Sequence, residues 1–280
     1  MTTIENRIMD EERALYGSSD ITVLNCRFDG PADGESALKE SSNVTVKDSY
    51  FNLRYPFWHV HGLNIDSSEM TDKCRAALWY SDNIKINNTD LHGIKALREC
   101  SKIEINNSDI ISPEFGWSVT DLKMNNTTAE SEYFLMRSSN IVLDNFTLKG
   151  KYSFQYDSNL TITNSELNTK DAFWHAKNVT VRDSVVKGEY LAWFSDNLTL
   201  INCKIIGTQP LCYCTNLKLV NCTMEEADFS FEYSDVEADL KGTVISVKNP
   251  KSGTITLDEM PEVIMEDAVY DCSGRVVVRK

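Results

Sequence analysis

Short apolar–polar–apolar alternations recur along this chain at a fixed distance. Ile84 and Ile86 flank Lys85, Val179 and Val181 flank Thr180, Leu198 and Leu200 flank Thr199, and Leu217 and Leu219 flank Lys218. Period two over so few residues predicts short strands with one face turned in and one turned out. Just before each stands a turn residue: Asn83, Asp121, Asn140, Asn159, Asn178, Asn197, Asn216 or Asp235, with Lys102 as the one substitution. From Asn83 to Asp235 the interval between successive anchors is always nineteen. Upstream, Asp20, Asn43, Gly62 and Asn83 stand at steps of twenty-three, nineteen and then twenty-one.

A second turn residue follows five positions later, as at Asn88, Asn107, Asn126 and Asn221. It leads into another short apolar stretch carrying Leu91, Ile110 or Leu148, and a third segment such as Leu78–Trp79–Tyr80 or Phe173–Trp174–His175 completes the unit. Segments this short and β-branched do not make helices, and a propeller would need hairpin turns and longer repeats. The expectation is an all-β, right-handed parallel β-helix, a solenoid with about 19 residues and three short strands per coil. Its hand comes from the rule for parallel connections rather than from the repeat. Asn tolerates left-handed backbone angles, so the asparagines five positions after each anchor are expected to stack as a ladder. Residues 1–280 read as a single domain: an N-terminal cap over 1–19, coils over 20–240, and irregular final coils with a C-terminal cap over 241–280.

Charge narrows the partners. With 28 basic and 42 acidic residues the formal net charge is −14, which repels nucleic acid and anionic membranes. No apolar run is long enough to span a bilayer. The N-terminus shows no secretory apolar segment, and the eight cysteines are not spaced like a small disulfide framework, so a cytoplasmic location is expected. Scattered histidines and the absence of any glycine-rich phosphate loop give no reason to expect a cofactor or a metal.

Columns of a solenoid are found by adding nineteen. The row four before each anchor runs Lys39, Trp58, Trp79, Arg98, Trp117, Met136, Gln155, Trp174, Trp193, Cys212 and Phe231, and so contains all five tryptophans. The next row runs Glu40, His59, Tyr80, Glu99, Ser118, Arg137, Tyr156, His175, Phe194, Tyr213 and Glu232. Alternation puts one row in and the other out, with the second the better candidate for solvent. Aromatic faces stack on sugars, and large exposed aromatic surface calls for a partner. Trp58, Trp79, Tyr80, Arg98 and Trp117, with Asp33 and Glu35 on the protruding loop 28–36, are therefore candidate contacts for a carbohydrate or a protein. An alternative is a polysaccharide lyase or glycoside hydrolase in the N-terminal third. There Glu40 and His59 would share a proton, and Arg98 or Arg75 would neutralise a carboxylate. Glu40 and Glu99, three coils or about 14 Å apart, are too far for a direct pair, so Asp33 or Glu35 on the loop would have to approach one of them. A third reading is self-association through a sheet face, giving a homo-oligomer.

The stretches ERALYG (12–17), FDGPADGESALKES (28–41), RYPFWH (54–59), CRAALWYS (74–81) and SPEFGW (112–117) resemble the bacterial family known as domain of unknown function 3737. The resemblance covers nearly the whole chain. It implies a pectin-lyase-like right-handed β-helix and a soluble cytoplasmic protein, and it brings no catalytic residues to carry over.

Overall fold

A computed structural model describes residues 2–280, which form strands and turns with no helix among them. No helix is therefore long and apolar enough to cross a membrane. The chain divides into two compact units, Met1–Ile141 and Val142–Lys280. Each is a right-handed parallel β-solenoid, as the repeat predicts.

In the first unit the strands Ser19–Leu24, Ser42–Lys47, His61–Asp66, Asp82–Asn87 and Ser101–Asn106 lie parallel and in register. Ile21 pairs with Val44, Val44 with Leu63, Leu63 with Ile84 and Ile84 with Ile103. This apolar column is buried. A second column of short strands carries the inward Phe28 and Phe51, stacked at 4.5 Å. The third side closes as a strand in three coils, at Phe57–Trp58, Leu78–Trp79 and Leu97–Arg98. Within the segment expected to be a cap, residues 1–19, Thr2–Glu5 already pairs in register with residues 21–24 and forms a coil. The longer interval after Asp20 folds back over residues 10–12, with Gly34 N–H donating to the Asp10 carbonyl. A Cβ on Gly34 would lie 2.3 Å from the backbone of Glu11, so only glycine fits that approach.

In the second unit Leu160, Val179 and Leu198 pair in the same register. Here the third side is a turn rather than a strand, with Phe154, Phe173, Ala192 and Leu211 in left-handed conformation. Residues 241–280, expected to be irregular, keep stacking at altered steps: Val236 faces Gly253 and Thr254 faces Arg275.

The corners explain the residue types. The anchors Asn83, Asn159, Asn178 and Asn197 have φ of 54°, 56°, 55° and 57°, the left-handed region that asparagine tolerates. The expected ladder five positions on is present, with Asn126 Nδ2 donating to Asn107 Oδ1 at 3.2 Å and Asn221 to Asn202 at 2.7 Å. The anchors form another: Asn178 Nδ2 donates to Asn159 Oδ1 at 3.1 Å, and Asn197 to Asn178 at 2.9 Å. Gly62 serves at the same corner with φ 79°. Inside the corners runs a second ladder that sequence reading did not anticipate. Ser68 Oγ accepts the Ser49 N–H at 3.1 Å and donates to the Asp66 carbonyl at 2.9 Å, and Ser184 does the same for Ser165 and Arg182. Cysteine substitutes for serine in these columns, as where Cys100 Sγ accepts the Ser81 N–H at 3.4 Å. All eight cysteines are free and seven are buried. Burial pushes the Cys74 and Cys100 thiols up to about 12, consistent with packing groups rather than nucleophiles.

Lys102 occupies an anchor corner at φ 55°, where a side chain without a short polar group costs about 1–2 kcal/mol. Lys102→Asn should stabilise the protein by about 1 kcal/mol, read as a higher urea midpoint. An unchanged or lower midpoint would show that backbone strain does not limit this corner.

Candidate functional site

The tryptophan row lies half-buried along the third side of the coils. Every indole N–H is bound to a backbone carbonyl of the next coil: Trp58 to Ala76 at 2.6 Å, Trp79 to Lys95 at 2.7 Å and Trp117 to Tyr133 at 2.8 Å. In the second unit Trp174 reaches Tyr190 at 2.7 Å and Trp193 reaches Gln209 at 2.8 Å. Gln155, in the same row, makes the equivalent bond to the Asp171 carbonyl at 3.0 Å. The row is thus a line of coil-to-coil staples. The ring faces are covered as well: Trp58 and Trp79 stack at 5.1 Å, and Arg98 lies between Trp79 and Trp117 at 4.8 and 4.6 Å. Arg98 also meets Glu114 at 3.2 Å. Of the expected ligand contacts, Trp58, Trp79, Arg98 and Trp117 are therefore engaged within the coil stack.

Strict alternation does not hold across this corner, so neither row points into the core. The next row occupies left-handed positions, with Glu40, His59, Tyr80 and Glu99 at φ 61°, 52°, 56° and 49°. Glu40, Tyr80 and Glu99 are exposed, while His59 is half-buried with its ring 5.1 Å from that of Tyr80. Arg75 is elsewhere. It lines a groove of roughly 670 Å3 beneath the 28–36 loop with Pro31, Asp33, Arg54 and Lys73. Asp33 and Glu35 are both paired with Arg54, each at 3.2 Å. At the rim of the loop, the Asn52 amide holds the Asp29 carboxyl below its usual range. The proposed acid–base set is thus divided: Arg75 and Asp33 share the groove, whereas Glu40, His59 and Glu99 do not line it.

The same outward row carries a larger feature in the second unit. Tyr156 and His175 stack at 4.9 Å, His175 and Phe194 at 5.0 Å, and Phe194 and Tyr213 at 4.8 Å, all within 14° of parallel. Tyr233 continues the line at 5.8 Å and Tyr270 closes it edge-on at 5.0 Å. Tyr156 is 50% exposed and Phe194 44%. Because the faces are stacked on one another, the row offers solvent its ring edges, hydroxyls and imidazole nitrogens. From Tyr156 to Tyr233 each ring stands on a left-handed residue that costs about 1–2 kcal/mol. Stacking returns about 0.5–1.5 kcal/mol per pair, so the row is near balance and adds little stability of its own. At its far end burial and the nearby Glu232 raise the Tyr213 hydroxyl. Lys248 is held protonated by Asp267 at 3.0 Å and Glu232 at 3.1 Å.

Tyr233, rather than Glu232, stands in this row. Tyr213 N–H donates to the Glu232 carbonyl where Phe194 donates to that of Cys212, so Glu232 takes the tryptophan-row place assigned from sequence to Phe231. One extra residue between Glu225 and Asp228 displaces the count. The run His175, Phe194, Tyr213 follows from steps of nineteen, and its row is the one expected to face solvent. Alternation, however, puts the tryptophan row inside, and a left-handed corner does not follow strand alternation.

A family model described as "Protein of unknown function (DUF3737)" matches residues 2–277. The chain belongs to this family. Among solved structures, the surface adhesin PfbA of Streptococcus pneumoniae is 12% identical, with 76% of this chain and 70% of that chain covered and a TM-score of 0.39. The endo-xylogalacturonan hydrolase of Aspergillus tubingensis is 10% identical over 86% of this chain and 88% of that chain, with a TM-score of 0.41. The A-module of the Azotobacter vinelandii mannuronan C-5 epimerase AlgE6 is 9% identical over 84% and 88%, with a TM-score of 0.37. A search of the curated proteins finds no match. At these identities the neighbours' activities do not transfer to the DUF3737 chain.

For this DUF3737 protein the staple reading of the tryptophans makes a direct demand. Trp79→Phe keeps the ring and the stack but removes the donor to the Lys95 carbonyl, leaving a poorly solvated acceptor. A loss of about 1–3 kcal/mol in urea unfolding is expected. Stability indistinguishable from wild type would show that the indole N–H does not hold adjacent coils.

Proposed function

We propose that this protein is a β-helical binding scaffold whose working surface is the outward aromatic row Tyr156, His175, Phe194, Tyr213 and Tyr233. The observation that carries the proposal is a surface stack of four contiguous rings at 4.8–5.0 Å, Tyr156 and Phe194 most open, with backbone strain at every ring and little net stability gained. Large exposed aromatic surface that does not serve the core calls for a partner. Tyrosine and histidine at such a surface combine apolar area with a polar tip, the mixture that protein interfaces favour. Sugars stack on ring faces, and those faces are covered along the row, so a protein partner fits the geometry better than a glycan. The carbohydrate-active alternative has less support, since its residues divide between a groove holding Arg75 and a corner row holding Glu40, His59 and Glu99.

Two measurements on the full chain separate these readings. In an oligosaccharide panel, neither cleavage nor tight binding is expected, and cleavage abolished by Glu40→Gln or Arg75→Ala would overturn the scaffold reading. For any protein partner recovered by cross-linking, the paired substitution Tyr156→Ser and Phe194→Ser should weaken binding at least tenfold, with Trp79→Phe as the unaffected control. If that pair instead dissolves a dimer in sedimentation velocity, the partner is a second copy of this chain.

A further inference from the structure

The strongest feature outside the aromatic row is on the second strand of the first unit. Strand Asp90–His92 buries Leu91 and turns Asp90 and His92 to the same outer face. Asp90 pairs in register with Glu69 on one side and Asp109 on the other, so three acidic side chains stand in one outward column. Parallel neighbours lie about 4.8 Å apart, and like charges directly opposite one another repel. Among the described residues neither Glu69 nor Asp90 has an ion-pair partner. His92 Nε2 lies 3.0 Å from Asp109 Oδ2, and one donor atom from each of Asp90, His92 and Asp109 falls within 4.8 Å of the other two. Thr128, one coil further, donates its hydroxyl to Asp109 Oδ1 and so leaves Oδ2 facing the imidazole.

We infer that Asp90, His92 and Asp109 form a binding site for a divalent transition-metal cation, with Zn2+ the best match. The argument is chemical as well as geometric. Donors about 2.0–2.2 Å from a tetrahedral ion are about 3.3 Å apart. The His92–Asp109 pair is already near that spacing, and a rotation of the exposed Asp90 side chain closes the rest. An imidazole with two carboxylates selects Zn2+ over Ca2+ or Mg2+, which prefer all-oxygen shells. The cation would neutralise the stacked carboxylates, and Glu69 stands next in the column to add a further oxygen. Water or a partner's side chain would complete the shell. No metal is expected from the sequence, because Asp90, His92 and Asp109 match no ligand motif and stand on a side of the coil away from the tryptophan rows.

The molecule contains its own control. His61 Nδ1 contacts Asp82 Oδ2 at 2.6 Å in the same unit, but among the described residues no second carboxylate converges there. Calorimetric titration of the chelator-treated full chain with Zn2+ should give one site per chain. Affinity should fall at least tenfold in His92→Ala, His92→Gln and Asp109→Asn, and stay unchanged in His61→Ala, with circular dichroism confirming that each variant is folded. Zn2+ should also raise the thermal midpoint of the wild type and not that of His92→Gln. Absence of a saturable site, or equal losses in the His92 and His61 variants, would overturn the assignment.

Discussion

The corner turn is the constraint on which the rest of this structure depends. A coil of nineteen residues must change direction several times, and it does so with single residues in the left-handed region. Those residues cannot be chosen for comfort alone, because each lies against its equivalent one coil away. Asparagine answers both demands, turning the backbone and bonding its own copy, and serine or cysteine just inside the corner holds the neighbouring N–H. Strands in between need little more than alternating Val, Ile and Leu. The precision of the solenoid therefore resides in its turns, while the strands supply burial.

The same geometry sorts surface residues by task. Four places before an anchor, the backbone still runs along the coil, so a side chain there lies flat and can reach the following coil. Tryptophan, glutamine and arginine all exploit that reach. One residue later the left-handed corner throws the side chain outward, and whatever stands there meets solvent. Adjacent rows with similar composition thus have different fates: one binds coil to coil, and the other is available for recognition.

Most of the fold was legible because a constant interval between Asn83 and Asp235 leaves few architectures, and stacking columns follow from addition. The boundaries were less legible. Residues 2–9 carry no asparagine anchor of their own before Asn6, yet Thr2–Glu5 pairs with the next coil. The candidate site is less legible for a physical reason. The tryptophans attract attention by size, but their donors and faces are already engaged, whereas the row of Tyr156 and Phe194, expected to face solvent, is turned outward by a left-handed backbone angle rather than by strand alternation. Arg75 and Glu40 are close in the count of coils, but Arg75 lines the groove beneath the loop and Glu40 does not.

The extra residue between Glu225 and Asp228 shows how such a chain accommodates a change in length. Tyr213 and Tyr233 are offset by one, yet Leu217 still faces Val236. The slip is taken back before the strand begins, at Asp235, which lacks the left-handed angle of the other anchors. A solenoid built this way has slack at its corners: the extra residue is absorbed before Val236 pairs, although the register shifts again between Leu219 and Cys222 and the next coil is shorter, with Asp235 facing Ser252. Changes in chain length can then be taken up at corners, giving new surface shapes while neighbouring strands still pair.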